Sequence, residues 1–579
     1  MVSNASSGDK AAIQARQTSA GTPTLAPQAW LFRGAAPIRP GKHGALAGLR
    51  FAIKDNMDTS GWPTTAACPA FSYIAEAHAT VVQKLLDGGA QLIGKTNLDQ
   101  FACGLSGTRS PYGAVPNAIN PAYVSGGSSS GSAYVVATGQ VDFALGTDTA
   151  GSGRVPAGLN NIVGLKPSRG LISAHGIVPA AQSVDCVSIL ARTVAMAVKV
   201  LETAMGQDPL DAYSRKAVMA ERAFNPAFRF GVPSPLVFEQ DAAAEAAFHA
   251  AVQKLKAMGG TPVTVDFAPL AGAAALLYDS ALVAERYAAI RGFFDAHEDQ
   301  VMEPVRSIIA AGRHYSAADV FEAQTQLKQF GQQASAMWDA IDFLLVPTSP
   351  THYTVEQMQL DPVGLNRKLG AYTNFVNLLD YAALSVPSSM RPDGLPFGIT
   401  LIGPWGSDWQ LADVGQRYHH ATALLQGATG LPLPPSEPVA ALKTEAVIKV
   451  AVVGAHLSGM PLNGQLTTRG ATLVGPARTA AHYRLFALPE TSPPKPGLLR
   501  VAPGRGAHIA LEIWQMPLVN YGSFVALIAA PLGIGTLELD DGTSVQGFLC
   551  EGEAVQGAHD ITHLGGWRAF IATLHPVAA

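Results

Sequence analysis

From residue 49 onward, apolar and polar positions follow two alternating rhythms. Short apolar runs at 49–53, 91–94 and 143–146 have the length of buried strands. Segments 80–87, 98–103 and 134–138 instead space their apolar residues as one face of a helix does. Strands alternating with helices predict βα units around a mixed or parallel sheet, and a further run at 343–346 adds to it. Residues 195–340 are Ala-rich with helical spacing and predict a layer over the sheet, or a lid. Residues 1–45 are mixed, with Pro37 and Pro40, and predict a short helix and an arm.

LPLPPSEP at 431–438 opens a Pro-rich linker reaching residue 447, since proline fixes extended backbone and removes a ladder donor. After it the rhythm changes. Short apolar runs at 450–453, 547–549 and 569–574, separated by glycines, predict a smaller β-rich domain over 448–579. The most apolar stretch, 517–537, is interrupted by Pro517, Gly522, Pro531, Gly533 and Gly535. It predicts two buried strands and a turn rather than a membrane span. No internal repeat is present.

Composition narrows the partners. The chain has 579 residues, 48% hydrophobic and 14% charged, with net charge −4 and no run of Lys or Arg. Neither nucleic acid nor an anionic membrane is an expected partner. The four cysteines lie far apart without a C-x-x-C pair, so neither a disulfide framework nor a zinc site is expected. The N-terminal MVSNASSGDKAAIQARQ lacks the apolar core of a secretory signal, and the expected location is the cytoplasm.

Two Ser/Gly segments carry the candidate chemistry: SGGSSSGSA at 125–133 and GTDTAGSGRVP at 146–156. Flexible linkers are the default reading for such runs, but these are wedged between core elements. Gly126 and Gly131 have the spacing of a phosphate cradle, yet Ser132 stands where that motif needs Lys. Gly127 to Gly131 formally fits a nucleophile elbow around Ser129. The strand before it is short and broken by Pro121, and no Asp/Glu-then-His pair can be singled out downstream. A serine needs a proton acceptor, and no histidine is close in sequence to either segment. Lys54 directly follows an apolar strand, where a side chain can be aimed into a sheet-end pocket, and a buried lysine can be neutral enough to act as base. An ordinary surface lysine is the other reading. Asp148 and Arg154 are expected to hold the loop.

Ile53-Lys54-Asp55-Asn56, then Gly126-Gly127-Ser128-Ser129, then Gly146-Thr147-Asp148-Thr149-Ala150-Gly151-Ser152 together resemble the amidase signature family over about residues 25–440, within a 1–440 domain. The spacing of Ser128 and Ser152 also matches. The resemblance implies an α/β fold with a central mixed sheet flanked by helices, and a Ser–cis-Ser–Lys triad. Ser152 would attack, Ser128 would relay the proton and Lys54 would receive it. Backbone N–H groups of Thr149, Ala150, Gly151 and Ser152 would form the oxyanion hole. Ala150 and Gly153 depart from the common pattern, which bears on pocket width.

The segment TDTAGSGRVPAGLNNIVGLKPSRG, the pair Tyr278 and Arg286 in LLYDSALVAERYAAI, and the extra C-terminal domain resemble more narrowly the allophanate hydrolases within that family. Tyr278 and Arg286 fall about two turns apart near one helical face. The resemblance implies that they hold the substrate carboxylate and that the backbone at Gly104 lines the pocket. The residues alone leave open a surface arginine beside a packed tyrosine. The implied reaction releases ammonia from allophanate and yields N-carboxycarbamate, which goes on to carbon dioxide and a second ammonia. No cofactor is implied, and a homodimer is common in the family.

Residues 448–579, with GAHLSGMPLN at 454–463, Tyr521-Gly522 and GFLCE at 547–551, resemble the small β-barrel of γ-glutamylcyclotransferase-like proteins. That resemblance implicates His456 in decomposing the first product; a hydrogen-bonded structural histidine is the other reading. His559 and His563 lack a third ligand for a metal. The rival functions are a general amidase, a glutamine-hydrolysing subunit of a transamidation complex, and a non-catalytic scaffold.

Overall fold

In the computed structural model, which describes residues 26–39, 43–442 and 446–574, the chain divides into two compact units, Met1–Lys443 and Thr444–Ala579. The first is built on an eleven-stranded mixed sheet. Its strands are β1 (Trp30–Ile38), β2 (Arg50–Lys54), β3 (Gln91–Thr96), β4 (Phe143–Asp148), β5 (Val163–Lys166), β6 (Cys186–Ala191), β7 (Arg229–Ser234), β8 (Thr261–Asp266), β9 (Phe343–Pro347), β10 (Ala382–Met390) and β11 (Pro396–Gly403). Their spatial order is β1-β3-β2-β4-β6-β5-β10-β11-β9-β7-β8. The α/β class, with a mixed sheet between helices, is the one expected.

Strand alternation explains how the sheet is covered. Phe51 and Ile53 of β2, with Phe143 and Leu145 of β4, face a core shared with helices α1 (Thr80–Asp87), α4 (Val194–Ala204), α5 (Ala242–Ala257) and α9 (Asp408–Thr422). Phe51 and Phe143 stack with ring centroids 5.3 Å apart. Ala52 and Ala144 point the other way, onto α2 (Ser130–Ala137). Small residues on both sides let α2 lie close to the sheet, and every residue of α2 is buried. A Cβ on Gly131 would collide with the backbone of Ala29 and Asn97, so this glycine is a packing requirement rather than a hinge. The segment that composition alone would read as a linker is therefore a core helix. Helices α6 (Ala268–Asp279) and α8 (Ala317–Ser335) cover the far half of the sheet.

Several expectations change. The helix expected at 98–103 is a single 3₁₀ turn, Gln100–Ala102, with Phe101 and Ala102 at positive φ, because the chain curls there around the Asp99 carboxylate. Residues 195–340 are not purely a helical layer: β7 and β8 extend the sheet at its edge, and β8 is mostly exposed, so neither has a continuous apolar run. The described N-terminal residues form a 3₁₀ turn at Pro27–Ala29 and then β1; the remainder of the expected helix and arm lies outside the described residues.

The second unit has a five-stranded sheet and a three-stranded sheet around its own core. The stretch 517–537 forms a helix, α10 (Leu518–Val525), and a strand, Leu532–Glu538, rather than two strands. Residues 569–574 lie in helix α11 (Trp567–Leu574). No helix among the described residues is long and apolar enough to cross a membrane.

Replacing Phe51 with Ala should remove the stack on Phe143 and leave a cavity beneath β2, costing roughly 3–5 kcal/mol. Thermal unfolding of the first unit should move down by a few degrees; an unchanged midpoint would show that this layer does not hold the sheet.

Candidate active site

β2 and β4 run parallel, with Ile53 paired to Leu145, so Lys54 and Gly146-Thr147-Asp148 emerge together at the carboxyl end of the sheet. There Lys54 Nζ donates to Ser128 Oγ at 2.7 Å and to Thr147 Oγ1 at 2.7 Å. The side chain is fully buried. Burial lowers its pKa to about 7, against the opposing pull of the Asp99, Asp185 and Asp148 carboxylates, and the Arg286 cation pushes it further down. A substantial fraction of this amine is therefore uncharged at neutral pH. Sequence reasoning placed Lys54 next to the serines but did not find Thr147, its second partner, although Thr147 lies in the same motif as Ser152.

Ser128 follows a cis peptide bond from Gly127 and precedes α2. Gly127 donates its N–H to Leu105 O at 2.7 Å, and Ser128 O accepts from Asp99 N at 3.1 Å. A Cβ on Gly127 would collide with the Asp99 carboxylate. The neighbouring serine is spent differently: Ser129 donates its hydroxyl to Thr147 O at 3.2 Å and its N–H to Ser152 O at 3.3 Å. Ser129 thus ties the two serine segments together and does not face a pocket as an elbow nucleophile would.

Ser152 Oγ lies 3.4 Å from Gly104 O, which brings the two expected pocket residues together. Asp99 shapes the Gly104 loop by accepting from the N–H groups of Ser106, Gly107 and Arg109 at 3.2, 3.0 and 2.9 Å. Asp99 was not singled out from the sequence, because its partners are backbone groups that no side-chain pattern reveals.

The loop carrying Ser152 is held from below by a fully buried ion pair. Arg154 donates through Nε and Nη2 to Asp148 at 2.9 Å each. Burial pushes the Asp148 carboxyl up, but Arg154 and the surrounding donors more than offset that and hold it below the usual range. Asp148 also accepts the Gly151 N–H at 2.8 Å and the Gly153 N–H at 3.1 Å. This differs from the expectation for Gly151: its N–H supports the loop instead of facing an oxyanion. Asn377, also missed, accepts from Arg154 and donates to Asp148 O at 2.6 Å and Val184 O at 3.0 Å.

Tyr278 and Arg286 sit on two helices rather than one, Tyr278 in α6 and Arg286 in α7 (Ala284–His297), because Ser280 caps a 3₁₀ turn between them. The turn still brings them together, with the Arg286 guanidinium 5.5 Å from the centre of the Tyr278 ring. Arg286 is 4% exposed, and its Nε and Nη1 are shut off from solvent without a hydrogen-bond partner. A buried guanidinium with idle donors is costly unless an anion completes it.

His456 lies in the second unit. Its Nε2 is 2.9 Å from Gln465 Oε1, and its ring stacks on Phe548 at 5.0 Å. Burial lowers its pKa. Among the described residues there is no group of three or more His, Cys, Asp or Glu side chains able to hold a metal ion.

Comparison with known proteins adds to this geometry. Residues 28–412 match the Amidase family, and residues 448–572 match the allophanate hydrolase C-terminal domain. The urea amidolyase of Lachancea kluyveri is 44% identical over 91% of this chain, which spans only 30% of that protein's length. A glutamyl-tRNA(Gln) amidotransferase chain from Haloarcula marismortui is 33% identical over 64% of this chain and 95% of its own. The structure of Kluyveromyces lactis allophanate hydrolase superposes with a TM-score of 0.72 at 39% identity, covering 99% of this chain and 98% of that one. With its serine segments, buried lysine and mixed sheet arranged as described, the chain belongs to the amidase family, and an allophanate hydrolase C-terminal domain follows its amidase unit.

Proposed function

We propose that this chain hydrolyses allophanate, with Ser152 as nucleophile, Ser128 as relay and Lys54 as proton acceptor. In its uncharged form the Lys54 amine accepts the Ser128 proton while Ser128 accepts that of Ser152. Ser152 Oγ bonds to the terminal carbamoyl carbon, and the carbonyl oxygen gains charge. Backbone N–H groups at Thr149, Ala150 and Ser152 stabilise it, each contributing a few kcal/mol in a dry site. The protons return along the relay to the leaving nitrogen, which departs as ammonia. Water, activated through the same relay, then frees N-carboxycarbamate.

The observation that carries the choice of substrate is Arg286. A plain amide gives this buried cation nothing to bind, whereas the allophanate carboxylate supplies an acceptor to a guanidinium with idle donors, with Tyr278 beside it. Similarity to urea amidolyase and to allophanate hydrolase over both units supports the same reading. The second unit, read as a γ-glutamylcyclotransferase-like barrel, is assigned to N-carboxycarbamate, with His456 as the residue that acts on it. A general amidase, or a glutaminase of the amidotransferase kind, would have no use for the Arg286 site.

Ammonia release from allophanate, glutamine and simple amides by the purified chain tests this. Allophanate should be preferred, and Ser152→Ala should lower the rate by at least about a thousandfold. Arg286→Lys should raise KM for allophanate about tenfold or more, because an ammonium cannot reproduce the planar, fixed donors of the guanidinium. Preference for glutamine, or an unchanged KM, would overturn the reading.

The pH profile gives a separate test. The amine must be uncharged to accept a proton, so kcat/KM should fall about tenfold per unit below pH 7 and level off above it. An acid limb near pH 4–5 would point instead to a carboxylate base.

A further inference from the structure

Asp185 has no role in the relay just described, yet it bonds the nucleophile loop and lies within electrostatic reach of the buried amine and of Arg286. Thr149, at the head of the nucleophile loop, donates its hydroxyl to Asp185 Oδ1 at 2.5 Å. The N–H of Ala180 donates to Oδ2 at 2.8 Å, and the N–H of Ala181 lies 3.3 and 3.2 Å from the two oxygens. The carboxylate is thus held by three donors from two segments.

The 180–185 segment is itself pinned to the rest of the site. Ser183 donates its N–H and hydroxyl to Glu285 at 2.6 and 2.7 Å, one residue before Arg286. Arg169 donates to Ser183 O at 2.5 Å, and Asn377 joins Val184 O to Asp148 O. We propose that Asp185 is a positioning residue, which fixes Thr149 and the backbone donors beside it while placing one negative charge within reach of both Lys54 and Arg286. This rests on the proposed function.

The charge has a calculable sign. Lys54 is faced by Asp99, Asp148 and Asp185, which favour its ammonium form, and by Arg286, which opposes it. Asp185 is faced by Thr149, the Ala180 and Ala181 N–H groups and Arg286. Burial pushes its own carboxyl upward against these donors. Removing the charge while keeping the shape must therefore make Lys54 easier to deprotonate and make the Arg286 region more attractive to an anion.

Asp185→Asn keeps an acceptor for Thr149 but not the charge, whereas Thr149→Val removes the hydroxyl that Asp185 Oδ1 accepts. Both are compared with the natural chain by the pH dependence of inactivation with a fluorophosphonate, which needs the nucleophile but not the substrate. Asp185→Asn should move the acid limb down by about half a unit or more, and should lower KM for allophanate. Thr149→Val should slow inactivation about tenfold at pH values above the limb. An unmoved limb in Asp185→Asn would overturn the electrostatic part, and an undiminished rate in Thr149→Val would overturn the positioning part. Steady-state assay of the natural chain on allophanate, run alongside, shows separately whether the underlying functional reading stands.

Discussion

An ammonium group is expensive to remove from water, and the arrangement around residue 54 follows from how that cost is met. Lys54 is fully buried, and its two near partners are hydroxyls rather than carboxylates. Three carboxylates lie close enough to favour its charged form, yet desolvation outweighs them and brings the amine to about 7. A carboxylate in direct contact would favour the ammonium form further. Lys95, one strand away, shows the contrast: it is equally buried but pairs with Asp55 at 3.0 Å. Burial pushes both amines down, but Lys95 has a carboxylate among its partners, beside Pro63 O at 2.7 Å and Thr64 Oγ1 at 2.8 Å, whereas Lys54 bonds hydroxyls.

The carboxylates left at a distance each do a second task. Asp148 anchors the loop of Ser152 through Arg154 and two backbone N–H groups, Asp99 folds the Gly104 loop, and Asp185 holds Thr149. Removing Arg154 from beneath Asp148 would leave a buried charge unpaired, the costly way to break such a pair. Arg154 leaves only its Nη1 without a partner, whereas Arg286 leaves both Nε and Nη1.

Much of the sheet was legible in the sequence. The runs at 91–94, 143–146 and 343–346 lie within strands of the main sheet and 49–53 overlaps one from residue 50, because strands buried on both faces read as unbroken apolar runs; 80–87 is helical over the expected span. Edge strands escaped for the opposite reason: Thr261–Asp266 is mostly exposed and has no such run. Segment 98–103 has helical spacing but curls around Asp99, whose backbone partners override local preference. In the second unit, the helices Leu518–Val525 and Trp567–Leu574 are apolar and short, and runs of that length do not distinguish helix from strand.

By itself the sequence determined the family, the α/β class, the change of character after the Pro-rich linker, and which lysine and serines to compare. These depend on residue type and order, which survive without coordinates. Tertiary structure decided what depends on distance and solvent. It showed that Lys54 meets Thr147 as well as Ser128, because β2 and β4 are parallel and end together. It showed that the Gly151 N–H is taken by Asp148. It also showed that Tyr278 and Arg286 meet across a break between two helices, and that Asp185 joins a loop to a segment distant in the chain. Burial sets the charge of an amine and hydrogen-bond reach sets the use of a carboxylate, and neither is a property of residue order.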